Sequence, residues 1–560
     1  METWEGDSWK NRSGTNMWAF ITVDEERGLA FAPIGSPTSD YYGADRHGKN
    51  LYGNSLVALD ADTGILKRYQ QLVHHDLWDF DLPAAPTLIE VTRNGRRIPA
   101  VAMITKMSTL FIFNQVTGEP IFGMEERPVP RSTVPGEESW PTQPFPLKPA
   151  PLGRMTFDPA KDFNTLLPEQ ETYCRDLWEK NGMYTNGPFT PPGLQGTVVT
   201  FPSTLGGGNW NGLSYDPTRG LIFTNIMNLG QVARMQEQKD SETGSTTYWR
   251  VGPWGTPVGR FWNPETGVPC SAPPFGELVA VNVNDGSTAS RVPLGFVESL
   301  KSKGFDHTGA LNLGGGIATA SGLVFVGATT DRRFRAFDSK TGALLWETEL
   351  EASAHSIPIT FMGRDGHQYV VVPAGGGSFL VSAPGTKIVA FALPGASIGR
   401  AANRAEDRAV RAPQPGLAAA PQASVAARKF EPPSGEGRDA VVSMCSGCRG
   451  LDTSVAQRRT ANQWQDVIQR MVALGAPGTK DNAAKARMYL AWRFGRVNVN
   501  VATDADLMRV LEIAPAQAQA IIEYRMHEDG FQSFADVRKV PGLDAADMER
   551  KQDRIVFADK

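Results

Sequence analysis

A turn motif that recurs through the N-terminal two thirds of the chain limits the folds that the chain can adopt. Each copy is a short alternating strand followed by Asp or Asn, two variable residues, Thr or Asp, and Gly. The copies are LVALDADTG (56–64), LFIFNQVTG (110–118), LVAVNVNDG (278–286) and FRAFDSKTG (334–342). In such turns the Asp or Asn side chain accepts hydrogen bonds from nearby backbone N–H groups, and the glycine takes the positive φ that ends the hairpin. The motif therefore predicts a series of β-hairpins.

The spacing of this motif predicts the blades of a β-propeller. About 55 residues separate the first two turn glycines, and also the last two, which is enough for four short strands. The interval between the second and third is about three times longer, so it holds an inserted segment as well as blades. The proline-rich run 127–153 belongs to that segment. We predict an all-β propeller with about five blades over residues 1–395. Related strands precede the motif in DEERGLAFAP (24–33), DPTRGLIFTN (216–225) and TASGLVFVGA (319–328).

The C-terminal third differs in composition. Residues 396–435 are rich in Ala, Pro and Arg and lack periodicity, which indicates a linker. Residues 436–496 are predicted to be helical, because TANQWQDVIQRMVALG (460–475) places its apolar side chains on one helix face. Those side chains are Trp464, Val467, Ile468, Met471 and Val472. Residues 497–560 contain two further helical pairs, so the propeller is followed by a small all-α region.

Composition excludes several classes of protein. The 56 basic and 60 acidic residues nearly balance, so the chain has no overall field that would attract a nucleic acid or an acidic surface. No run approaches the ~18 apolar residues of a transmembrane helix. The N-terminus, METWEGDSWKNRSG, has neither the basic nor the apolar stretch of a signal peptide. Four cysteines are too few for a disulfide scaffold. A globular chain without a membrane span remains.

Five segments carry a resemblance to a known family. They are SPTSDYYGADRHGKNLYGNSLVALD (36–60), VHHDLWDFDLPAAPTL (73–88), TQPFPL (142–147), FPSTLGGGNWNGLSYDP (201–217) and HQYVVVPAGGGS (367–378). Together they resemble the pyrroloquinoline quinone (PQQ) dehydrogenases, in particular the membrane-bound glucose dehydrogenase branch. The resemblance covers nearly all of residues 1–395. It implies an eight-bladed propeller that holds PQQ on its axis beside a divalent cation, usually Ca²⁺ and otherwise Mg²⁺.

The resemblance also implies the residues of the site. In the family, the aspartate directly after Trp in the WD[FMY]D motif is the general base, and Asp79 holds that position. A lysine 27 residues later contacts the quinone oxygens, and Lys106 stands at that interval. Asn209 and Trp210 match the family's cofactor-facing loop, while the metal ligands stay unassigned. The chemistry agrees, because alcohol oxidation needs a base for the hydroxyl proton and an ortho-quinone for the hydride.

Several of these residues also have a plainer interpretation. An aspartate between two aromatic residues, such as Asp79, is often a turn or strand-end residue, and Lys106 alone would be a solvated lysine. His74 and His75 are candidates for substrate contact, with structural packing as an equal alternative. The glycine run 206–208 suits close backbone approach to a flat cofactor, with an ordinary loop as the alternative.

The resemblance extends to the cysteines and to the location. Cys174 and Cys270 occupy positions where the family also carries cysteines, so it implies a disulfide between them and a periplasmic protein. Family members carry about three further blades before the point where this chain starts. We therefore expect a fragment of a longer reading frame, with an internal start or half of a split protein as alternatives.

Residues 436–496 resemble a small c-type cytochrome domain. Cys445 and Cys448 have the CxxC spacing that anchors haem c, and Met471 is placed as a sixth ligand. The next residue is Arg449, where the iron requires histidine, and a guanidinium cannot replace imidazole. We therefore expect no covalently attached haem c. The alternatives are a vestigial helical domain and a CxxC that forms its own disulfide, and a zinc site lacks a second ligand pair.

The tail, residues 497–560, resembles tandem helix-hairpin-helix motifs of secreted DNA-uptake proteins. The segment Pro541-Gly542-Leu543 fits a hairpin whose N–H groups can contact a phosphate. The first hairpin, LEIAP, lacks the usual glycine. Basic residues are balanced by acidic ones, so we expect packing or protein interaction ahead of DNA binding, which would be weak.

These features predict a quinoprotein dehydrogenase. It would oxidise an alcohol group of a glucose-like sugar or polyol and pass the electrons to a quinone or a cytochrome. The alternative is a catalytically inactive propeller fragment that acts as a scaffold or binding module, with the helix-hairpin-helix tail as its interaction element.

Overall fold

The computed structural model describes residues 3–11, 14–239, 246–253, 259–377, 380, 382–393, 432–445, 455, 458–473, 480–528 and 530–557. They belong to two compact units, Met1–Ala412 and Pro413–Lys560. Each unit has its own hydrophobic core. No helix among these residues is both long and apolar enough to cross a lipid bilayer.

The first unit is built almost entirely from short strands. In chain order they are β1 (Thr22–Asp24), β2 (Leu29–Pro33), β3 (Ser55–Asp60), β4 (Leu66–Gln71), β5 (Thr87–Arg93), β6 (Arg96–Ile104), β7 (Leu110–Asn114), β8 (Met124–Pro128), β9 (Thr142–Pro146), β10 (Met183–Tyr184), β11 (Thr197–Thr200), β12 (Ser214–Asp216), β13 (Leu221–Met227), β14 (Gln231–Lys239), β15 (Thr246–Val251), β16 (Gly259–Arg260), β17 (Trp262–Asn263), β18 (Val268–Pro269), β19 (Gly276–Asn282), β20 (Thr288–Pro293), β21 (Gly316–Ala318), β22 (Leu323–Val326), β23 (Arg333–Asp338), β24 (Leu344–Glu349), β25 (Ile359–Met362), β26 (Gln368–Ala374) and β27 (Lys387–Ala392). Among the described residues of this unit there are also two helices, α1 (Pro168–Lys180) and α2 (Glu298–Lys301), and a 3₁₀ turn (Glu5–Asn11).

Five antiparallel sheets form the blades, which confirms the predicted propeller. Their strand orders are β1-β2-β3-β4, β5-β6-β7, β12-β13-β19-β20, β21-β22-β23-β24 and β25-β26-β27. All seven residues of β13 are buried. Both faces of this strand are therefore covered, and its two polar side chains, Thr224 and Asn225, make hydrogen bonds within the core.

The recurrent turns form as the sequence predicts. Asp60 Oδ1 accepts a hydrogen bond of 2.9 Å from the Thr63 N–H, and Gly64 has a φ of +70°. Asn114 and Asp338 make the same kind of contact in their blades. Each of these turns follows the third strand of its sheet, so one local rule is repeated around the propeller.

The predicted insertion is a long excursion in two parts. One part runs from β8 to β11, between the second and third blades, and the other runs from β14 to β18, inside the third blade. Strand β11 pairs with β14, so the two parts share one sheet. A disulfide between Cys174 and Cys270, with sulfur atoms 2.07 Å apart, also joins them. The excursion is therefore a single accessory layer.

The second unit is helical. Its elements are α3 (Arg438–Cys445), α4 (Ala461–Ala473), α5 (Lys480–Arg493), β28 (Val497–Asn498), α6 (Asp504–Leu511), α7 (Pro515–His527), α8 (Phe534–Val537), α9 (Ala545–Arg550), a 3₁₀ turn (Gln552–Arg554) and β29 (Ile555–Val556). Trp464 and Ile468 on α4 are buried, with Val467 packed beside them. The last helices enclose a separate core around Leu507 and Ile521.

Candidate active site

The loop between β4 and β5 is organised by one buried carboxylate, that of Asp76. It accepts hydrogen bonds from the backbone N–H groups of Trp78, at 2.8 Å, and Phe80, at 2.7 Å. The side chains of Asn54 and Ser36 also donate to it. Four donors to one fully buried carboxyl group hold the loop in a single conformation. Asp76 was not singled out from the sequence, although its DLWDF spacing matches the pattern of a loop that bonds its own backbone.

This loop presents Asp79 to a buried ammonium group. Lys106, in the turn between β6 and β7, donates to Asp79 O at 2.7 Å and to Asp79 Oδ1 at 3.1 Å. It also donates to Asp81 Oδ2 at 3.2 Å. Lys106 is only 5% exposed, whereas 28% of the Asp79 side chain is accessible to solvent. The interval of 27 residues that the sequence analysis used therefore corresponds to a direct contact.

The three ionisable groups of this cluster, Asp79, Asp81 and Lys106, have pKa values that are shifted in different ways. Burial raises the pKa of Asp79 to about 8; Lys106 opposes this shift, and the negative charges of Asp81 and Asp40 add to it. Burial opposes ionisation of Asp81 as well, but Lys106 and the Ser36 N–H together hold its pKa below the usual value. The two carboxylates outweigh the effect of burial on Lys106 and raise its pKa. Asp79 is thus a carboxyl group with a raised pKa beside a permanent cation, a combination that is common at functional sites.

The two histidines of this loop are occupied by protein partners. His74 Nδ1 lies 2.6 Å from Gln71 Oε1, and its Nε2 lies 2.9 Å from Glu126 Oε1. His75 Nδ1 lies 2.8 Å from a backbone carbonyl oxygen, and its Nε2 lies 2.8 Å from Glu137 Oε1. All four ring nitrogens therefore have partners, which favours the structural alternative over substrate contact.

The glycine run lies against the Lys106 turn. The Gly207 N–H donates to Lys106 O at 2.8 Å. A Cβ at Gly207 would lie 1.7 Å from Ser108 Oγ, and one at Gly206 would lie 2.7 Å from Lys106 Cα. The close backbone approach that glycine permits is thus to the turn that carries Lys106.

Asn209 and Trp210 follow in the same loop. Asn209 Nδ2 donates to Leu205 O at 2.7 Å, and its Oδ1 accepts from the Trp210 N–H at 2.7 Å. Trp210 is half-buried, and its Nε1 donates to His355 O at 3.2 Å. Asn209 therefore shapes the loop, while part of the Trp210 side chain stays accessible.

Tyr41, between β2 and β3, and two residues of the excursion also border the site, and none of them was singled out from the sequence. Tyr41 OH lies 3.5 Å from Asp79 Oδ2, and the Arg250 guanidinium from β15 lies 3.7 Å above the Tyr41 ring. Glu137 accepts from the Gly43 N–H as well as contacting His75. Tyr41 falls inside a segment that carries the family resemblance, but no sequence pattern indicates that Arg250, more than 200 residues away, reaches it.

The described residues around Asp79 fit PQQ, and they leave the ligands of an accompanying cation unassigned. The positive charge of Lys106 would attract quinone oxygens, while its three N–H groups contact Asp79 and Asp81 in this structure. The half-buried Trp210 indole in the adjoining loop suits a flat ring. Among the residues that the structure describes, no three acidic, His or Cys side chains are grouped to hold a metal ion. We therefore assign no role to a metal in the steps below.

Little is described of the four candidate haem-site residues. Cys448 and Arg449 are outside the described residues, and the side chains of Cys445 and Met471 are not described, although their backbones belong to α3 and α4. The absence of haem c stays a prediction.

Comparison with known proteins agrees with this geometry. The family model "PQQ: Glucose/ethanol/alcohol dehydrogenase, beta-propeller domain" matches residues 1–370, and "Helix-hairpin-helix motif" matches residues 493–556. A probable quinate dehydrogenase (quinone) of Xanthomonas campestris pv. juglandis is 36% identical over 407 residues, covering 69% of this chain and 50% of that protein.

Two further relatives have related names. The quinoprotein glucose dehydrogenase of Escherichia coli (strain K12) is 34% identical over 404 residues, covering 68% of this chain and 49% of that protein. The glycerol dehydrogenase large subunit of Gluconobacter thailandicus is 31% identical over 418 residues, covering 70% and 56%. The chain spans about half the length of these curated relatives. On this evidence, the chain belongs to the family of PQQ-dependent quinoprotein dehydrogenases, oxidoreductases that act on CH–OH groups.

Proposed function

We propose that this chain carries out PQQ-dependent oxidation of an alcohol group on a sugar or polyol, with Asp79 as the general base. The observation that carries the proposal is the contact between Lys106 Nζ and Asp79 Oδ1, at 3.1 Å, in a loop where the carboxylate stays accessible. Membership in the family supports the cofactor and the reaction class, and does not favour the alternative of an inactive scaffold.

Each residue of the pair has one task. PQQ, when bound, supplies an ortho-quinone that accepts hydride from the substrate carbon. Asp79 takes the hydroxyl proton of the substrate, and its raised pKa makes it a stronger base than a solvated aspartate. Lys106 orients the Asp79 carboxylate and keeps a positive charge at the site, and that charge would stabilise negative charge on the quinone oxygens when PQQ is bound. Asn209 and Trp210 shape the adjoining loop for the flat cofactor.

The electrons then pass to a quinone or a cytochrome outside this chain, in the periplasm. The names of two relatives, a probable quinate dehydrogenase (quinone) and a quinate/shikimate dehydrogenase (quinone), support a quinone as the acceptor. Ca²⁺ or Mg²⁺ accompanies PQQ in this proposal, with ligands that remain unassigned.

The test compares the full chain with its Asp79→Asn variant, both supplied with PQQ and Ca²⁺. We expect dye-linked sugar or polyol oxidation to fall about 10²- to 10⁴-fold, because general-base catalysis typically contributes that much. Retained PQQ, measured by its absorbance after ultrafiltration, should stay unchanged. The matched control is Asp62→Asn, at an exposed turn position. Unchanged turnover in Asp79→Asn would remove Asp79 as the base, and a wild-type chain that retains no PQQ would contradict the proposal itself.

We also propose that the helical segment 436–496 is a cytochrome c-like module that no longer binds haem. Arg449 follows Cys448 at the position where imidazole must ligate the iron. A pyridine haemochrome spectrum of the purified chain should lack a c-type band. The Arg449→His variant, produced with the haem-attachment machinery, is the matched control and should gain the band if the rest of the module is intact. A c-type band in the unmodified chain would contradict the proposal.

A further inference from the structure

Arg250 brings a positive charge from the excursion to the edge of the candidate active site. Its guanidinium carbon lies 3.7 Å above the centre of the Tyr41 ring, and Tyr41 OH lies 3.5 Å from Asp79 Oδ2. The neighbouring Tyr42 packs edge-on against Tyr248 of the same strand, with ring centres 5.2 Å apart. Two aromatic contacts therefore hold β15 beside the Asp79 loop, and one side chain separates Arg250 from the proposed base.

The Arg250 guanidinium has an unused donor. Its Nη1 is buried and has no hydrogen-bond partner within the described ranges. A buried N–H group without an acceptor is destabilising, and native proteins pair most such groups. Arg46, the other arginine beside this loop, donates to Asn50 Oδ1 at 2.7 Å and to backbone carbonyls. The Nε of Arg46 is likewise buried without a partner within the described ranges, so an unpaired nitrogen does not by itself separate the two arginines. Arg250 differs by its place over the Tyr41 ring, next to Asp79.

The positive charge of Arg250 affects the pKa of a carboxyl group inside the site. It opposes the rise in the pKa of Asp40 that burial and the neighbouring carboxylates cause. The cluster contains the carboxyl groups of Asp40, Asp76, Asp79 and Asp81, of which Asp79 and Asp81 are paired with Lys106. A neutral sugar would need no further cation here. An anionic substrate would be repelled by the carboxylates unless a second positive group received it.

We propose that Arg250 is a specificity-determining residue that binds a carboxylate of the substrate, so that the preferred substrate is a polyol carrying a carboxylate group. This rests on the proposed function, because it places the reacting hydroxyl at Asp79. Tyr41 lies between Asp79 and Arg250, so the hydroxyl and the carboxylate belong on opposite sides of one ring-sized molecule. A guanidinium presents two parallel N–H donors to a carboxylate, which selects the anion over a neutral hydroxyl.

The test measures the full chain, supplied with PQQ and Ca²⁺, on quinate and on the neutral cyclic polyol myo-inositol. In Arg250→Gln we expect kcat/KM for quinate to fall about 10- to 100-fold, because charge-assisted hydrogen bonds have that effect, while the value for myo-inositol changes less than about threefold. Arg250→Lys should recover part of the quinate activity, since the charge returns without the two-pronged geometry. Arg175→Gln removes an excursion arginine paired with Glu171 on α1, and should change neither value.

Binding of quinate, followed by saturation-transfer NMR on the same proteins, separates this inference from the proposed function. Quinate that binds the unmodified chain but not Arg250→Gln supports the inference even if no oxidation occurs, in which case only the proposed function fails. Oxidation of myo-inositol without quinate binding would overturn the inference and leave the proposed function standing. Equal losses for both substrates in Arg250→Gln would also overturn it, since they would indicate a structural role.

Discussion

Asp79 occupies a backbone conformation that aspartate rarely adopts. Its φ is +60°, in the left-handed region, and Ser108 in the facing turn has the same value. Such residues persist where surrounding contacts determine the conformation, and they occur often at functional sites. Here the four hydrogen bonds to Asp76 and the hydrogen bond from Lys106 to Asp79 O hold the backbone of Asp79 in this conformation. The backbone conformation at Asp79 therefore helps to direct its carboxylate toward Lys106.

At the residue scale, the acidity of Asp79 predicts a pH profile. Its pKa of about 8 lies above the ordinary aspartate value because the group is buried among Asp81 and Asp40. A base must be ionised, so the rate increases as pH rises through this pKa, and kcat/KM should rise about tenfold between pH 7 and 9. Asp81→Asn removes a neighbouring negative charge and should move the midpoint to lower pH. A flat profile, or a midpoint that Asp81→Asn leaves in place, would contradict this assignment.

At the scale of elements, the glycine loop and the Lys106 turn interlock. Gly207 fits only because it lacks a Cβ, which would otherwise meet Ser108 Oγ. Ser108 is buried, its Oγ has no partner within the described ranges, and its φ is positive. The two loops therefore support each other, and the position of Lys106 depends on a residue about 100 positions further along the chain.

This interlock predicts a specific pair of variants. Gly207→Ala should lower the free energy of unfolding by about 1–3 kcal/mol, the usual cost of overpacking, measured by urea denaturation. Adding Ser108→Gly should restore most of it, because the colliding atoms disappear and glycine accepts the positive φ. Gly375→Ala is the matched control, since nothing lies within 4 Å of its Cβ position and its φ is not positive. Equal effects at Gly207 and Gly375, or no recovery in the double variant, would contradict the interlock.

At the scale of the whole molecule, the two units have independent cores. The described side chains of the second unit form two clusters, one around Trp464 and Tyr489 and one around Leu507 and Ile521. Trp464 Nε1 donates to Phe494 O at 3.0 Å, within the same unit. A unit that closes its own core and pairs its own buried polar groups should fold alone.

We therefore expect a separate fragment, residues 432–560, to be helical by circular dichroism and to melt cooperatively. Its only tryptophans are Trp464 and Trp492, so their fluorescence reports the core directly. Ile468→Ala should destabilise the fragment by about 2–5 kcal/mol, because it leaves a cavity, while Glu523→Ala at an exposed position should stay within about 0.5 kcal/mol. A fragment with a broad, non-cooperative transition would show that the core is incomplete.

Local rules explain which parts of the fold were predictable. The Asp/Asn–Gly turn, the alternating strands and the apolar face of α4 each depend on neighbours within a few residues, so their positions could be read along the chain. The family resemblance gave Asp79 and Lys106 separate roles but did not predict their contact, because nothing in the 26 intervening residues encodes it. The occupied ring nitrogens of His74 and His75 could not be predicted, since Glu126 and Glu137 lie in the excursion.

The sequence by itself thus determined the repeat, the turns, the propeller class and the change to helices near the C-terminus. Only the tertiary structure decided which groups meet at the site. It showed that the Asp76 carboxylate holds the loop between β4 and β5, that Gly207 packs against the turn that carries Lys106, and that the excursion brings Arg250 over Tyr41. The physical reason is range. A turn is stabilised by hydrogen bonds within four residues, whereas burial, ion pairing and the pKa of Asp79 depend on groups that meet only when distant blades and the excursion pack together.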